Sequence, residues 1–307
     1  MHAMRLPQAF EAAARLELPI VAHVPDLAYV CARVNMLRPS GELCSSAEDG
    51  RACVQSCGIR TGPDRVEWGR YALESADAVV CPCQFTIALH HANGFETESW
   101  HHVPWRVDYQ LFPERLESPR GERLVVGFAG TLLRHKGAHV LVDAVASRPE
   151  LPVELRLWGE SFHEDDYERE LRALAADDPR ISFLGRYDHA GFRELLAELD
   201  VLVIPSLWHE NLPTTGLNAV AAGVPLIVSD VGCLTELVAD HACGLTFPVG
   251  DAETLGALLE SLAREPDQLR IIRAEMSDPT SLEEEAWRVE GIYESVLDAS
   301  MSASRRS

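Results

Sequence analysis

From residue 123 onward, short runs of apolar residues alternate with longer segments whose apolar positions recur every three or four residues. The runs "RLVVGFAG", "VELRLWG", "ISFLG", "VLVIPSL" and "PLIVSD" predict strands. The segments "GAHVLVDAVAS", "DYERELRALAAD", "AGFRELLAELD", "TTGLNAVAAG" and "CLTELVAD", with a further one at about 251–264, predict helices. Strands that are apolar throughout and separated by helices imply a parallel sheet covered on both faces. In a doubly wound domain of this kind, ligands bind at the carboxyl ends of the strands.

The first third of the chain is less regular. A helix over "RLPQAFEAAARLE" precedes a buried strand, "LPIVAHV" (18–24), and residues 31–64 read as irregular and rich in Gly, Ser, Asp and Cys. A helix at about 65–76, the strand "ADAVVCP", a helix at about 84–92 and the strand "WHHVPW" follow. The Pro- and charge-rich stretch "FPERLESPRGER" (112–123) reads as a linker. The expected division is 1–115, with a cysteine-rich loop over 31–57, then 116–280, then an amphipathic helix over 281–300 that packs back toward the first domain.

With 307 residues, 47% of them hydrophobic, the chain can bury one large core or two ordinary ones. A net charge of −21 argues against nucleic acid and anionic membrane surfaces, both of which need a basic footprint. No apolar run approaches the ~18 residues of a membrane-spanning helix, and no leader is visible, so a cytoplasmic location is expected. In that setting the eight cysteines are thiols or metal ligands rather than a disulfide framework.

Lys136 is the single lysine; every other basic side chain among the 27 is arginine. It ends "GFAGTLLRHKG", a glycine-spaced loop between a strand and a helix, next to Arg134 and His135. A helix N-terminus favours an anion by ~0.3–1 kcal/mol, and lysine adds a point charge suited to phosphate. The competing reading is a solvated lysine at a turn. A second strand-to-helix loop, "PSLWHENLPTTGLNAVAAGVP", carries Glu210 at a strand end and could turn the amides of Thr214, Thr215 and Gly216 toward a diphosphate. An ordinary charged connection is the alternative there.

These two loops, together with "ISFLGRYDHAGFRELLAELD", "LTELVADHACGLTFPVGDAETLGALL", "DLAYVCARVNMLRPSGELC", "ADAVVCPCQFTIALHHANGF" and "VPWRVD", resemble the family-4 (group 1) glycosyltransferases of GT-B fold, in a cysteine-bearing branch. The resemblance implies an α/β, GT-B type architecture of two Rossmann-like doubly wound domains, the first of them incomplete. It implies a retaining hexosyltransferase that uses a nucleoside-diphosphate sugar and a hydroxyl acceptor and needs no catalytic metal. Lys136 falls on the residue that meets the donor diphosphate, and Glu210 on the glutamate beside the transferred sugar. Pro213, Thr214, Thr215 and Gly216 fall on the stretch whose amides approach the phosphates, Gly130 on the first-loop glycine, and Gly185, Arg186 and Tyr187 where the base is held.

The chain departs from the pattern at several of these positions. Asn218 stands where a second glutamate is expected to hold the ribose, which exchanges a charged acceptor for a neutral one. Thr131 stands where an arginine commonly follows Gly130, with Arg134 as the nearby substitute, and Pro25 and Arg106 replace a histidine and a glycine. The segment before the linker is expected to be too short for the full set of strand–helix units. A homologue that binds a nucleotide sugar without turning it over, or that completes a partner transferase chain, is therefore the alternative. Cys31, Cys44, Cys53 and Cys57 share the irregular loop and suggest a structural zinc site; reduced thiols packed as small hydrophobes are the competing reading. The pairs His90-His91 and His101-His102 read as surface, and Cys233 and Cys243 as core.

Overall fold

The computed structural model describes residues 7–96, 99–117, 121–161, 165–188 and 191–304. Part of the expected linker (118–120) and the start of the expected first helix lie outside them. The chain divides into two compact units, one running to Arg106 and resuming at Thr280, the other spanning Val107–Pro279.

The first unit holds α1 (Pro7–Arg15), β1 (Val21–His23), α2 (Arg51–Cys57), α3 (Gly62–Glu74), β2 (Ala78–Cys81), α4 (Gln84–Ala92) and β3 (Trp100–His102). Its three strands are parallel in the order β1-β2-β3, with all four residues of β2 buried as its central position requires. Val79, Leu73, Met36 and Phe95 lie in one apolar cluster over this sheet. Helix α2 falls inside the stretch expected to be irregular. At seven residues it spans two turns, too few for an apolar period to emerge. The carboxyl-terminal helix, Leu282–Ser304, belongs to this unit; Tyr293 Oη lies 3.1 Å from His23 Nε2, and Arg106 Nε is 3.1 Å from Glu285.

His90 corrects the expectation that the histidine pairs are superficial. It lies on the inner face of α4, fully buried, with Nδ1 2.7 Å from the Thr86 carbonyl and the rings of Phe95 and Trp100 beside it. Burial pushes its pKa down from the ordinary 6.5 to about 4. The unfolded chain therefore takes up a proton first, and stability drains away as pH falls from 6.5 toward 4. Between pH 7 and pH 5 this one ring should remove ~2 kcal/mol. Urea unfolding at the two pH values should show that much less acid loss in His90→Gln than in the parent, and an equal loss would refute the assignment.

The second unit runs β4 (Leu124–Ala129), α5 (Ala138–Ala146), β5 (Val153–Trp158), α6 (Asp165–Ala175), β6 (Ile181–Gly185), α7 (Phe192–Ala197) and β7 (Val201–Ile204). It continues with α8 (Thr214–Ala221), β8 (Leu226–Ser229), α9 (Cys233–His241), β9 (Gly244–Phe247), α10 (Ala252–Arg264) and α11 (Asp267–Glu275). All six strands are parallel, in the order β6-β5-β4-β7-β8-β9. The succession therefore reverses between β4 and β7, where Val126 pairs with Val201 and Gly127 with Leu202. A crevice at the carboxyl ends of these two strands is the topological switch point at which such sheets bind ligands.

The segment expected as a linker joins the second unit from Val107 onward, earlier than the expected boundary at 115. Arg115 donates to the Met276 carbonyl at 2.8 Å and pairs with Asp278 at 2.7 Å, and Leu116 N–H donates to the Ala222 carbonyl. Polar composition marks this stretch as a linker, while its backbone is held by residues far along the chain.

Candidate functional site

Strand β4 ends at Ala129, and the loop after it closes through a single 3-10 turn, Arg134–Lys136, onto Gly137 and α5. Strand β7 ends at Ile204, and its loop runs through Pro205 to Pro213, which precedes α8. The loops meet at Gly137. Leu207 N–H donates to the His135 carbonyl at 2.8 Å, and a Cβ on Gly137 would stand 1.8 Å from the Pro205 oxygen. Gly137 also has φ +72, a left-handed conformation that costs an L side chain ~1–2 kcal/mol.

This junction brings the two residues expected to carry the chemistry into direct contact. Lys136 Nζ is 2.7 Å from Glu210 Oε1, with 28% of the lysine side chain exposed and 7% of the glutamate's. The same oxygen accepts from Ser206 Oγ at 2.6 Å and from the Trp208 indole N–H at 2.9 Å. Lys136 Nζ also lies 5.0 Å from the centre of the Trp208 ring, and the His135 and Trp208 rings form a T-shaped pair with centres 4.9 Å apart. Ser206 and Trp208 are not among the residues expected from the sequence. Their only sequence signal is the spacing of two in "SLWHE", beside Glu210 in the loop after β7.

Beyond Glu210 the chain is pinned from below. Leu212, at φ +76, donates its amide to the buried Cys233 Sγ, which ties the loop to the start of α9. Helix α8 then opens after Pro213. Thr214 and Thr215 stand in its first turn, where amides have no preceding carbonyl to bond within the helix. The Gly216 amide, expected as a third donor to a ligand, instead returns to the Pro213 carbonyl at 3.0 Å. The glycine there serves packing: a Cβ would stand 2.9 Å from Leu237 and 3.1 Å from Ile204. Asn218 lies one turn further along α8, half-buried.

At the carboxyl end of β6, Tyr187 stacks on Phe192 at 5.4 Å and hydrogen-bonds the Thr215 side chain. Burial raises the phenol's pKa, so it stays protonated. The residue expected near a base and one expected near the phosphates thus touch. Gly185 has open space around its Cα, and Arg186 is exposed, 3.5 Å from Glu160. Gly130 donates its amide to the Trp158 carbonyl at 3.0 Å, fixing the start of the first loop to β5, and Thr131 follows it half-buried.

Arg134 does not extend the positive charge of Lys136. Its guanidinium pairs with Glu170 on α6 and lies 5.0 Å over the Tyr167 ring. The pair holds the Glu170 carboxyl below the usual carboxylate range. The expected substitute for the missing arginine is thus turned toward α6, and Lys136 is the cation paired with Glu210.

The zinc expectation meets a different arrangement. Cys31 and Cys53 pack into the apolar core of the first unit with Cys44 against it, and Cys44 Sγ donates to the Ser46 carbonyl at 3.2 Å. Burial pushes the Cys31 thiol up, away from the thiolate a metal needs. Among the described residues no group of three or more His, Cys, Asp or Glu side chains is arranged to hold a metal ion, and none of the eight cysteines is in a disulfide. No described helix is long and apolar enough to cross a membrane.

Residues 123–265 match the family model described as Glycosyl transferases group 1. The chain is similar to the glycogen synthase of Mycobacterium tuberculosis, at 31% identity over 168 residues, which are 52% of this chain and 39% of that protein. It is 33% identical over 175 residues to the MMP alpha-(1->4)-mannosyltransferase of Mycolicibacterium hassiacum, covering 56% of this chain and 42% of that one. It thus spans about two-fifths of the length of these relatives. Its fold is similar to that of Anabaena HepE in complex with UDP, with a TM-score of 0.70 and 20% identity over 97% of this chain and 76% of that one. Residues 123–265 thus match the group 1 glycosyltransferase family model, and the α/β architecture is of the GT-B type.

Proposed function

We propose that the protein is a retaining hexosyltransferase that moves a sugar from a nucleoside diphosphate to a hydroxyl acceptor. The observation that carries this reading is the meeting of Lys136 and Glu210 at the switch point between β4 and β7. A departing diphosphate needs a fixed cation and free amides in a partly dry crevice. Lys136 and the first turn of α8 supply both. The bond from the anomeric carbon to the phosphate oxygen breaks, and its electron pair leaves with the diphosphate. The acceptor oxygen bonds the same face of the sugar and gives its proton to the departing phosphate. Glu210 accepts hydroxyls of the sugar and so fixes the anomeric carbon beside the phosphate.

HepE is bound to UDP, which makes UDP the first nucleotide to try, with GDP, ADP and TDP beside it. A nucleotide at 100 times its dissociation constant adds ~2.7 kcal/mol to stability, readily seen in thermal unfolding. Stabilisation by one nucleotide, followed by sugar release from the corresponding donor, supports the reading. No stabilisation by any of the four at millimolar concentration would overturn it.

Asn218 bears on affinity. A ribose held by a neutral amide lacks a charge-assisted bond, about twice the strength of a neutral one. Asn218→Glu is expected to tighten nucleotide binding about tenfold, by ~1.4 kcal/mol. Titration calorimetry checks this, and an unchanged or weaker affinity would remove Asn218 from the ribose.

A further inference from the structure

Three donors converge on one oxygen of Glu210: Lys136 Nζ at 2.7 Å, Ser206 Oγ at 2.6 Å and Trp208 Nε1 at 2.9 Å. A carboxylate offers about four acceptor sites, roughly two on each oxygen. Three donors on Oε1 exceed that share, so one of them can leave without exposing an empty acceptor. Ser206 is fully buried and Trp208 is packed against His135, whereas Lys136 sits on a flexible side chain that is 28% exposed. The lysine is the donor free to go.

We propose that Trp208 is a positioning residue of the transfer site: with Ser206 it holds the Glu210 carboxylate in place when the donor's diphosphate draws Lys136 away. This rests on the transferase reading above. Before the donor arrives, Glu210 and the Trp208 ring face hold the ammonium within reach of the phosphates. Once the lysine has turned to them, the indole N–H and the Ser206 hydroxyl keep Oε1 occupied. The second carboxylate oxygen, for which none of the described residues supplies a hydrogen bond, then meets the sugar. Trp208 thus serves both members of the pair with different parts of one side chain, its edge for the glutamate and its face for the lysine.

Phenylalanine at this position keeps the face and removes the edge. In Trp208→Phe the donor KM and the UDP affinity should stay within about threefold of the parent, while kcat falls about tenfold, the loss of one hydrogen bond to a charged group. Ser206→Ala should show the same split, since it donates to the same oxygen. Trp208→Leu, which also removes the face, should weaken UDP binding as well. A parent-like kcat in Trp208→Phe, or a loss confined to KM, would overturn the proposal. A second measurement is independent of turnover. The indole N–H resonance of Trp208, identified by its loss in Trp208→Phe, should shift in Glu210→Gln and hold its position when UDP saturates the parent. If Glu210→Gln leaves it unmoved, or UDP returns it to the position of a free indole, the proposal falls. A parent that binds no nucleotide and releases no sugar would sink the transferase reading by itself, and the effect of Glu210→Gln on that resonance would still decide the indole contact.

Discussion

Lys136→Ala is expected to abolish sugar transfer and the stabilisation by nucleoside diphosphate together. The lysine is the cation at the mouth of the crevice, since Arg134 is committed to Glu170. Removing a single preorganised charge from a leaving-group site typically lowers kcat by ~10²–10³. The variant should nevertheless fold. Glu210 keeps the Ser206 and Trp208 hydrogen bonds, so its carboxylate is not left without donors when the lysine is gone. Donor hydrolysis and a nucleotide-dependent melting series on the same preparation separate the two effects. Parent-like turnover in a folded variant would remove Lys136 from the chemistry.

The largest expected loss of stability lies one residue further on. Gly137→Ala forces a Cβ to 1.8 Å from the Pro205 oxygen, at a backbone angle of +72° that alanine resists. The overlap is with backbone rather than with a side chain that could rotate. Relief requires the loops after β4 and β7 to part, which breaks the bond from Leu207 N–H to the His135 carbonyl. Left-handed strain of ~1–2 kcal/mol and a lost backbone hydrogen bond of ~0.5–1.5 kcal/mol combine to a loss of ~2–3 kcal/mol. Urea denaturation of the parent and the variant checks this. A change below ~0.5 kcal/mol would mean that the loops are not joined as described. Parting the loops also separates Lys136 from Glu210, so any folded fraction of Gly137→Ala should transfer sugar slowly.

The second unit is largely legible in the sequence because its central strands β4, β7 and β8 are buried on both faces, so their apolar runs stand out from the flanking helices. Strand β4 and helix α10 fall where the pattern puts them. What composition hides are elements whose apolar surface is small or local. Helix α2 buries only Ala52 and Cys53, and α11 buries Leu269 alone. His90 is misread because a histidine pair at a helix end looks polar, although the spacing from Thr86 carries it inward. At the site, residue type and loop position identify Lys136 and Glu210, but their contact depends on strand order, which no local pattern encodes. Arg134 shows the converse. Its neighbourhood in sequence suggests a phosphate ligand, and an acidic partner 36 positions away turns it aside.

A single lysine also changes what can be observed. An amine-selective reagent meets only one side chain of its kind in this chain, and that side chain borders the crevice. Every acylation event beyond the terminal amine is therefore a report on one location, readable as a mass increment on the intact polypeptide. The protein carries its own occupancy probe: whatever ligand draws the ammonium into contact shields it, and the rate of labelling becomes a binding curve even while sugar, base and acceptor are still unidentified.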